Sequence, residues 1–294
     1  MPPVSQLAKA ADFSQDERSV IRSRAEVSMR RRRRTPLLLV LSLAFVCAND
    51  GCSSGMRNSA RVGSRSASDS SEAVDTILGN YYEAIGGYAR LKGIRVRRMQ
   101  GVYQEGTLIA RTEIVQRRPN LRRVIVHGGA WDHYEGFDGA AYEFHRDSGK
   151  VGHLSRVTGE AALAIIRGAE FDESFVDYAA KGFRASVVGR ESVLGLDVYR
   201  LRIVRTDNWM LEYLFEVHSH LLVGLQKAMP LHAEGSPITS LTLYQDWRFT
   251  NRLLVPFSGV EVNLATGKVM NTLHWDTIEL NGSIEASELC PPTR

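Results

Sequence analysis

The spacing in this chain that best suits a metal ion is His218-Ser219-His220. Residues i and i+2 of a strand share a face, so two imidazoles placed in this way could chelate zinc. No carboxylate or cysteine pattern nearby completes a set of four ligands, and the segment separates two strand-like runs. The pattern favours a polar hairpin turn over a metal site, and we expect neither a metal nor any other cofactor.

Residues suited to nucleophilic or acid–base catalysis are sparse. Ser258-Gly259 follows a Pro-Phe pair and lacks the first glycine of a nucleophile elbow. Asp132, His133 and Glu135 form a polar cluster, but the aromatic residues beside them indicate the rim of a domain rather than a site. Because no pairing of nucleophile and base is left, we expect a protein that is not an enzyme.

A basic cluster, Arg117, Arg118, Arg122 and Arg123, flanks a predicted turn. One interpretation is a solvated hairpin, because charge runs usually lie on solvated faces. The other is a patch at the mouth of the domain that meets phospholipid head groups or an acidic protein partner. The sequence leaves both interpretations open.

The excess positive charge of the chain lies at its N-terminus. The formal net charge is +4, and residues 1–51 hold nine of the 37 basic residues and five of the 33 acidic ones. The remainder carries 28 of each. Because binding to nucleic-acid phosphates needs a clustered basic excess, this neutral body argues against a nucleic-acid partner.

Residues 29–51 have the pattern of an export signal. Five arginines, Arg30 to Arg34, precede an apolar run that is short for a membrane span, and small residues and a cysteine follow. A transmembrane anchor is the alternative. Met29 stands where such a signal begins, so we expect residues 1–28 to be an over-extended start and 1–51 to be a leader.

Gly51-Cys52, followed by serines and a glycine, resembles the lipobox of bacterial lipoproteins. In that family the cysteine receives a diacylglycerol and becomes the mature N-terminus. The resemblance implies that Cys52 is a lipid anchor at the periplasmic face of the outer membrane. Asn49 and Asp50 depart from the usual pattern, and Cys47 is a poorer candidate. If Cys52 remains an ordinary thiol, we expect a soluble periplasmic protein.

Residues 52–70 are rich in Ser, Gly, Ala and Arg, which is typical of a flexible tether. This leaves residues 71–294 as one folded domain. Apolar residues at helical spacing predict a first helix from Ser71, as its N-cap, to the Gly86-Gly87 stop. Further elements are predicted as strands over 96–104, 107–116, 121–127 and 268–280, and as a helix over 159–168.

The longest regular pattern occupies 187–264, where apolar and polar residues alternate. Leu201 and Ile203, for example, alternate with Arg200 and Arg202. Successive side chains of a strand point to opposite faces, so the pattern predicts a sheet with one apolar face and one polar face. An antiparallel sheet of this kind either closes on itself or is covered by helices.

Eight short pieces of the chain, taken in order, resemble a known group of proteins. They are YYEAIGGYARLKGI (81–94), RPNLRR (118–123), FDGAAY (137–142), VDYAAKGF (176–183), VVGRESVLGLDVYRLRI (187–203), YQDWR (244–248), VPF (255–257) and IELNGSI (278–284). The group is the LolA-like superfamily of bacterial periplasmic lipid- and lipoprotein-binding proteins, and in particular the outer membrane lipoprotein-sorting proteins.

The resemblance implies an α+β, mostly β, domain in which a strongly curved antiparallel sheet forms an unclosed half barrel with helices packed in its concave face. It also implies that a hydrophobic cavity binds the acyl chains of a lipid or lipoprotein. An anchored member of the group would act as a receptor or local sensor rather than a free carrier. The alternative is an envelope stress sensor of the RseB type, or a scaffold, that binds a protein partner. We expect a monomer.

Ten apolar side chains are expected to face this cavity, although the sequence does not separate a cavity lining from a packed core. They are Leu108, Ile114, Val124, Val126, Leu201, Ile203, Tyr213, Phe215, Leu241 and Leu243.

Overall fold

A computed structural model of the chain describes residues 67–229 and 237–292. The predicted leader, the predicted anchor Cys52 and most of the predicted tether lie outside the described residues. The helices found within them are α1 (Ala67–Ala84), α2 (Tyr88–Gly93), α3 (Gly159–Ala169) and a 3₁₀-helix, Ala286–Leu289. Among the described residues, none of the helices has the length and apolar character needed to cross a lipid bilayer.

The strands form one antiparallel sheet. They are β1 (Val96–Glu105), β2 (Leu108–Arg117), β3 (Leu121–His127), β4 (Trp131–Phe137), β5 (Ala141–Asp147), β6 (His153–Arg156), β7 (Arg184–Val193), β8 (Leu196–Val204), β9 (Met210–Glu216), β10 (Leu222–Met229), β11 (Ile238–Thr250), β12 (Leu253–Asn263) and β13 (Val269–Leu280). Their order across the sheet is β6-β5-β4-β3-β2-β1-β13-β12-β11-β10-β9-β8-β7.

The order of the strands shows that the sheet is not closed, because β6 and β7 lie at its two edges and do not pair with each other. Every connection joins neighbouring strands except the one from β6 to β7, and these two are the edges of the sheet. Helix α3 and the turns of 171–182 fill that connection. The mostly β, unclosed antiparallel architecture predicted from the sequence is thereby confirmed.

Helix α3 shows that the sheet curls until its two ends approach each other. Ala162 and Ile165 of α3 pack against Ala141 of β5, while Arg167 at the other end of the helix binds Asp207 between β8 and β9, at 2.5 Å. Strands β5 and β8 are ten positions apart in the sheet, which would separate them by about 48 Å if the sheet were flat. An 11-residue helix spans only about 16 Å, so the sheet must be strongly curved.

Helix α1 packs on the concave face because its apolar residues recur every three or four positions. Its buried side chains Val74, Ile77, Leu78 and Tyr81 join the core formed by the β8–β10 side of the sheet. The helix begins at Ala67 rather than at the predicted Ser71 cap. Several serines and an aspartate precede Ser71, and each is an equally good capping residue, so the pattern alone does not choose between them.

A glycine allows the end of α1 to touch the sheet. Gly86 has a φ of +110°, and a Cβ at this position would lie 2.4 Å from the carbonyl oxygen of Arg252 in the β11–β12 turn. The neighbouring Ile85 carbonyl accepts a hydrogen bond from the Leu254 backbone N–H at 2.9 Å. This close approach fixes α1 over the inner face.

Candidate functional site

The register of the sheet defines which side chains share its inner face. Directly paired residues on neighbouring strands point the same way, and the pairs Met99–Ile114 and Ile114–Val124 link β1, β2 and β3. The same succession of pairs reaches Tyr213–Leu201 at the far side of the sheet. Since Tyr213 and Leu201 pack in one cluster with α1, all these residues belong to the concave, inner face.

The inner face divides into two apolar halves. In one half, which we call the helix-covered cluster, side chains of β8–β10 pack against α1 and the turns of 171–182. We call the other half the helix-free cluster, because none of its members comes from a helix. Its buried members are Tyr103, Ala110, Ile114, Val124, Val126, Phe257, Trp275 and Ile278. Val255 and Leu280 pack against both clusters, so the two apolar surfaces are continuous.

Interlocked aromatic rings fill the helix-covered cluster. Phe175 packs edge-on against Tyr81, Tyr213 and Phe215, with ring centroids 4.9–5.4 Å apart. The Tyr213 hydroxyl donates to a Glu173 carboxylate oxygen at 3.2 Å and accepts from the Ser174 backbone N–H at 3.2 Å. The chain itself therefore occupies this half of the concave face.

The ten predicted cavity residues fall into three places. Leu108, Ile114, Val124 and Val126 belong to or pack against the helix-free cluster, and Leu201, Ile203, Tyr213 and Phe215 belong to the helix-covered cluster.

Leu241 and Leu243 are a correction, because they lie on the outer face in a small cluster with Val198 and Leu214. Alternation along one strand shows which residues share a face but not which face is inner. On β11 the inner residues include Thr242, which pairs with Leu225. Strand β11 carries apolar side chains on its outer face at this point, so their alternation with polar residues does not identify the inner face.

Buried polar groups interrupt the inner face beside the helix-free cluster. Arg122, His133 and Glu135 are all less than 7% exposed, and Arg122 Nη1 lies 3.8 Å from Glu135 Oε1. Within the described residues, neither carboxylate oxygen of Glu135 has a hydrogen-bond partner. Burial raises the pKa of Glu135 to about 7, and nearby Glu143 adds to the rise while Arg122 opposes it. Burial lowers the pKa of His133 to about 4.

These positions correct the prediction that Asp132, His133 and Glu135 form a rim. Asp132 alone lies towards solvent, where it binds His127 at 2.8 Å and Arg146 at 2.9 Å. His133 pairs with Val126 and Glu135 with Val124 of the helix-free cluster, so both point inwards.

A second inner carboxylate, Glu261 on β12, is fully hydrogen-bonded. It accepts from the Ser240 hydroxyl at 2.7 Å and the Asn271 amide at 2.8 Å, and Lys227 Nζ lies 3.4 Å away. Burial raises the pKa of Glu261, but Lys227 and the two hydrogen bonds outweigh burial and lower it overall. A buried charge of this kind is stable because it is paired.

Three side chains near the junction of the two clusters indicate a hollow. Burial is the largest influence on the pKa of each: it lowers that of Arg97 and raises those of Glu173 and Tyr244. All three nevertheless keep an intermediate exposure to water. Groups that protein surrounds on most sides but that water still reaches line a concavity. Arg97 donates two hydrogen bonds to the Gln116 side-chain oxygen, at 3.1 and 2.6 Å.

An open cleft of about 860 Å³ lies where α2, the β2–β3 turn and the segment after α3 meet. Its walls include the rings of Phe171 and Phe183. The Phe171 ring contacts two guanidinium groups, with that of Arg118 4.5 Å and that of Arg97 5.1 Å from its centroid. The cleft therefore adjoins the inner face at Phe171. The basic residues that line the cleft are Lys92, Arg95, Arg117, Arg118 and Lys181.

The two acidic residues of the cleft are already paired. Asp172 binds Arg118 and also Lys92, the latter at 3.1 Å. Burial raises the pKa of Asp172, but these two cations outweigh it and lower the pKa overall. Glu170 receives two hydrogen bonds from Arg205, at 2.6 and 2.7 Å.

The predicted patch of four arginines is not one surface. Arg117 and Arg118 line the cleft, Arg122 is buried on the inner face, and Arg123 lies on the outer face, where its charge acts on Glu288. Consecutive strand residues point to opposite faces, so Arg122 and Arg123 cannot meet one ligand. The prediction of a single patch is wrong in this respect.

The segment with metal-like spacing is a turn. His218 and Ser219 donate their backbone N–H groups to the Glu216 carboxylate, at 3.0 and 2.6 Å. His220 has a φ of +60°, which turns the chain into β10. Within the described residues, no group of three or more His, Cys, Asp or Glu side chains is arranged to hold a metal ion.

Comparisons with solved structures find similar folds. A DUF1329 family protein from Desulfovibrio piger matches with a TM-score of 0.51 and 6% identity, over 74% of this chain and 96% of that one. An outer membrane lipoprotein-sorting protein domain from Vibrio parahaemolyticus has a TM-score of 0.48 and 10% identity, over 74% and 96%. A LolA superfamily protein from Nitrosomonas europaea has a TM-score of 0.44 and 12% identity, over 74% and 97%.

No family model and no curated protein matches the sequence. At identities of 6–12%, the likeness to solved structures concerns the fold and not the function. The mostly β, unclosed fold predicted from the sequence is confirmed, and the Desulfovibrio piger protein has a similar fold.

Proposed function

We propose that this protein binds the acyl chains of a lipid or lipoprotein on the inner face of its sheet, at the bacterial cell envelope and without catalysing a reaction. The observation that carries the proposal is the helix-free cluster. It is a group of apolar strand side chains inside a curved, unclosed sheet, and no described helix contributes a member to it. Each methylene group that an acyl chain buries there would contribute about 0.8 kcal/mol.

The exposure of side chains around the cluster supports entry of a ligand. Met99, Leu108 and Leu273 pack against the buried members but are themselves only partly buried. Arg97, which is also only partly buried, is the inner-face neighbour of Met99 along β1. An acyl chain lying along these side chains would extend the apolar surface already present.

We further propose that Cys52 carries the lipid that anchors the protein to the outer membrane. The proposal rests on the lipobox-like residues around Cys52, and stable anchoring would need more than one acyl chain. Mass measurement of the protein from its native membrane would show an added diacylglyceryl group on an N-terminal Cys52. An unmodified Cys52 would contradict the anchor and leave the binding proposal intact.

The binding proposal is tested by native mass spectrometry of the full chain and by titration with a fluorescent 16-carbon fatty acid. We expect a co-purifying lipid, and we expect Met99→Trp to weaken fatty-acid binding at least tenfold, because the indole would fill the apolar surface. Gln100→Trp is the matched control. Gln100 is the next residue of the strand and is exposed on the other face, so its substitution should leave binding unchanged.

Equal binding by wild type and Met99→Trp would overturn the proposal, as would the absence of both co-purified lipid and fatty-acid binding. The other candidate, a protein-binding sensor or scaffold, would then need a stoichiometric partner from the envelope. We put acyl binding first because apolar strand side chains inside a concave sheet, with partly exposed side chains packed against them, match acyl chains most directly.

A further inference from the structure

The cleft beside Phe171 has basic residues that form no ion pair within the described part of the chain. Arg95 and Arg117 form no ion pair with any described residue, and Lys181 donates only to the backbone carbonyl of Glu173, at 3.2 Å. The paired acids Glu170 and Asp172 are satisfied by Arg205, Arg118 and Lys92. The walls of the cleft therefore contain three basic residues, Arg95, Arg117 and Lys181, that form no ion pair with a described carboxylate.

The size and walls of the cleft suit the polar end of an amphipathic molecule. Its volume of about 860 Å³ lies within the range of about 300–1,000 Å³ that is typical of small-ligand sites. Two aromatic rings, Phe171 and Phe183, stand among the cations. Arginine forms its strongest hydrogen bonds with phosphate and carboxylate oxygens, often two at a time.

The cleft and the helix-free cluster are close enough to share one ligand. The Phe171 ring contacts both Arg118, in the cleft, and Arg97, on the inner face, with centroid distances of 4.5 and 5.1 Å. Arg97 is two residues from Met99, which packs against the helix-free cluster. A molecule with a charged head in the cleft would thus have its apolar tail directed towards the inner face.

We propose that the cleft lined by Arg95, Arg117 and Lys181 binds the phosphate head group of a lipid whose acyl chains occupy the helix-free cluster. The inference rests on the proposed function and names its ligand class, a phosphate-bearing acyl lipid. The cations contribute head-group selectivity, and the apolar surface contributes most of the affinity.

The test compares two probes that carry the same chains, dioctanoyl phosphatidic acid and dioctanoylglycerol, which differ only by the phosphate. Titration calorimetry of the full chain should give tighter binding of the phosphatidic acid, by about tenfold or more, as expected for one charged hydrogen-bonding contact. Arg95→Gln with Arg117→Gln should remove this preference and leave dioctanoylglycerol binding unchanged. Arg111→Gln is the control: Arg111 lies on the same strand as Arg117 but is exposed and pairs with Asp276 at 2.6 Å.

Each outcome has one meaning. Equal binding of the two probes by wild type would overturn the head-group site and leave acyl binding standing. Failure of both probes to bind would overturn the proposed function and this inference with it. If inorganic phosphate alone binds as tightly as dioctanoyl phosphatidic acid, the site takes free phosphate and the lipid assignment is overturned. Tighter binding of a hexaglutamate peptide than of phosphatidic acid would equally overturn it in favour of an acidic protein.

Discussion

The two halves of the inner face carry the same kinds of side chain but differ in what packs on them. In the helix-covered cluster, α1 and the aromatic ring of Phe175 fill the concave face. In the helix-free cluster, every apolar member comes from a strand. A curved sheet thus provides a folding core where helices fill it and an apolar surface where they do not. The residue types alone do not decide which of the two forms.

The largest difference should appear in stability. We expect Phe175→Ala to lower the free energy of unfolding by about 3–5 kcal/mol, because it leaves a cavity among three rings. The matched change in the other half, Phe257→Ala, should cost less than half as much, since no helix packs on that surface. Urea unfolding of both variants measures the difference. Equal costs would mean that the helix-free cluster is an ordinary packed core, and would count against acyl binding.

The next difference concerns the buried carboxylates. The pKa of Glu135 is raised to about 7 from its ordinary 4.5, so between these values the folded state binds more protons than the unfolded state. Stability contributed by this group is therefore fully present below about pH 4.5 and lost as the pH rises through 7. The loss amounts to about 3 kcal/mol. Glu135→Gln should remove this slope, measured as urea unfolding at several pH values.

Two other buried groups on the inner face provide the contrast for this pH effect. Glu261, whose pKa is lowered mainly by Lys227 against the effect of burial, contributes stability that is present above its ordinary pKa and lost as the pH falls. His133, with a pKa lowered to about 4, destabilises the folded state between pH 6.5 and 4 as the pH falls. Only the difference between wild type and Glu135→Gln isolates Glu135. An unchanged slope in that variant would contradict its raised pKa.

The sequence was sufficient to predict the sheet. It was not sufficient to predict which parts of the inner face are packed against α1 and Phe175. Alternation located most of the strands, and eight of the ten proposed cavity residues do lie on the inner face. Leu241 and Leu243 were placed on the wrong face, because alternation on one strand does not say which face is inner. Whether Leu201 and Tyr213 line a cavity or belong to a packed core depends on where α1 and Phe175 pack. Those contacts join residues that are distant along the chain.

The cleft was predicted only in part. Arg117 and Arg118 belong to the basic cluster that the sequence predicts as a patch. Arg95, Lys181 and Phe171, which also line the cleft, were not predicted as part of a site. The cleft unites three segments that lie far apart in the sequence, so no local spacing reveals it. Adjacent charges such as Arg122 and Arg123 look like a patch in the sequence, although a strand sends them to opposite faces.

The smallest expected effect concerns the segment 171–182, which packs on the helix-covered cluster. It tests whether this segment also affects ligand binding in the cleft. Asp172 follows Phe171, and it pairs with Arg118 and Lys92. We expect Asp172→Asn to lower the free energy of unfolding by about 1–3 kcal/mol, because it removes a charged partner from a largely buried arginine. The same change frees Arg118 for a ligand, while Lys92 stays paired with Asp177 at 2.8 Å, so binding of dioctanoyl phosphatidic acid should tighten while that of dioctanoylglycerol should not.

Asp276→Asn is the control for this variant, because its pair with Arg111 is largely exposed, and such pairs contribute about 0–1 kcal/mol. Loss of stability in Asp172→Asn without any gain in phosphatidic-acid binding would show that Asp172 only holds the covering segment in place. Tighter binding of both probes would show instead that loosening this segment exposes more of the helix-covered cluster. The boundary between the two halves of the inner face would then be movable rather than fixed.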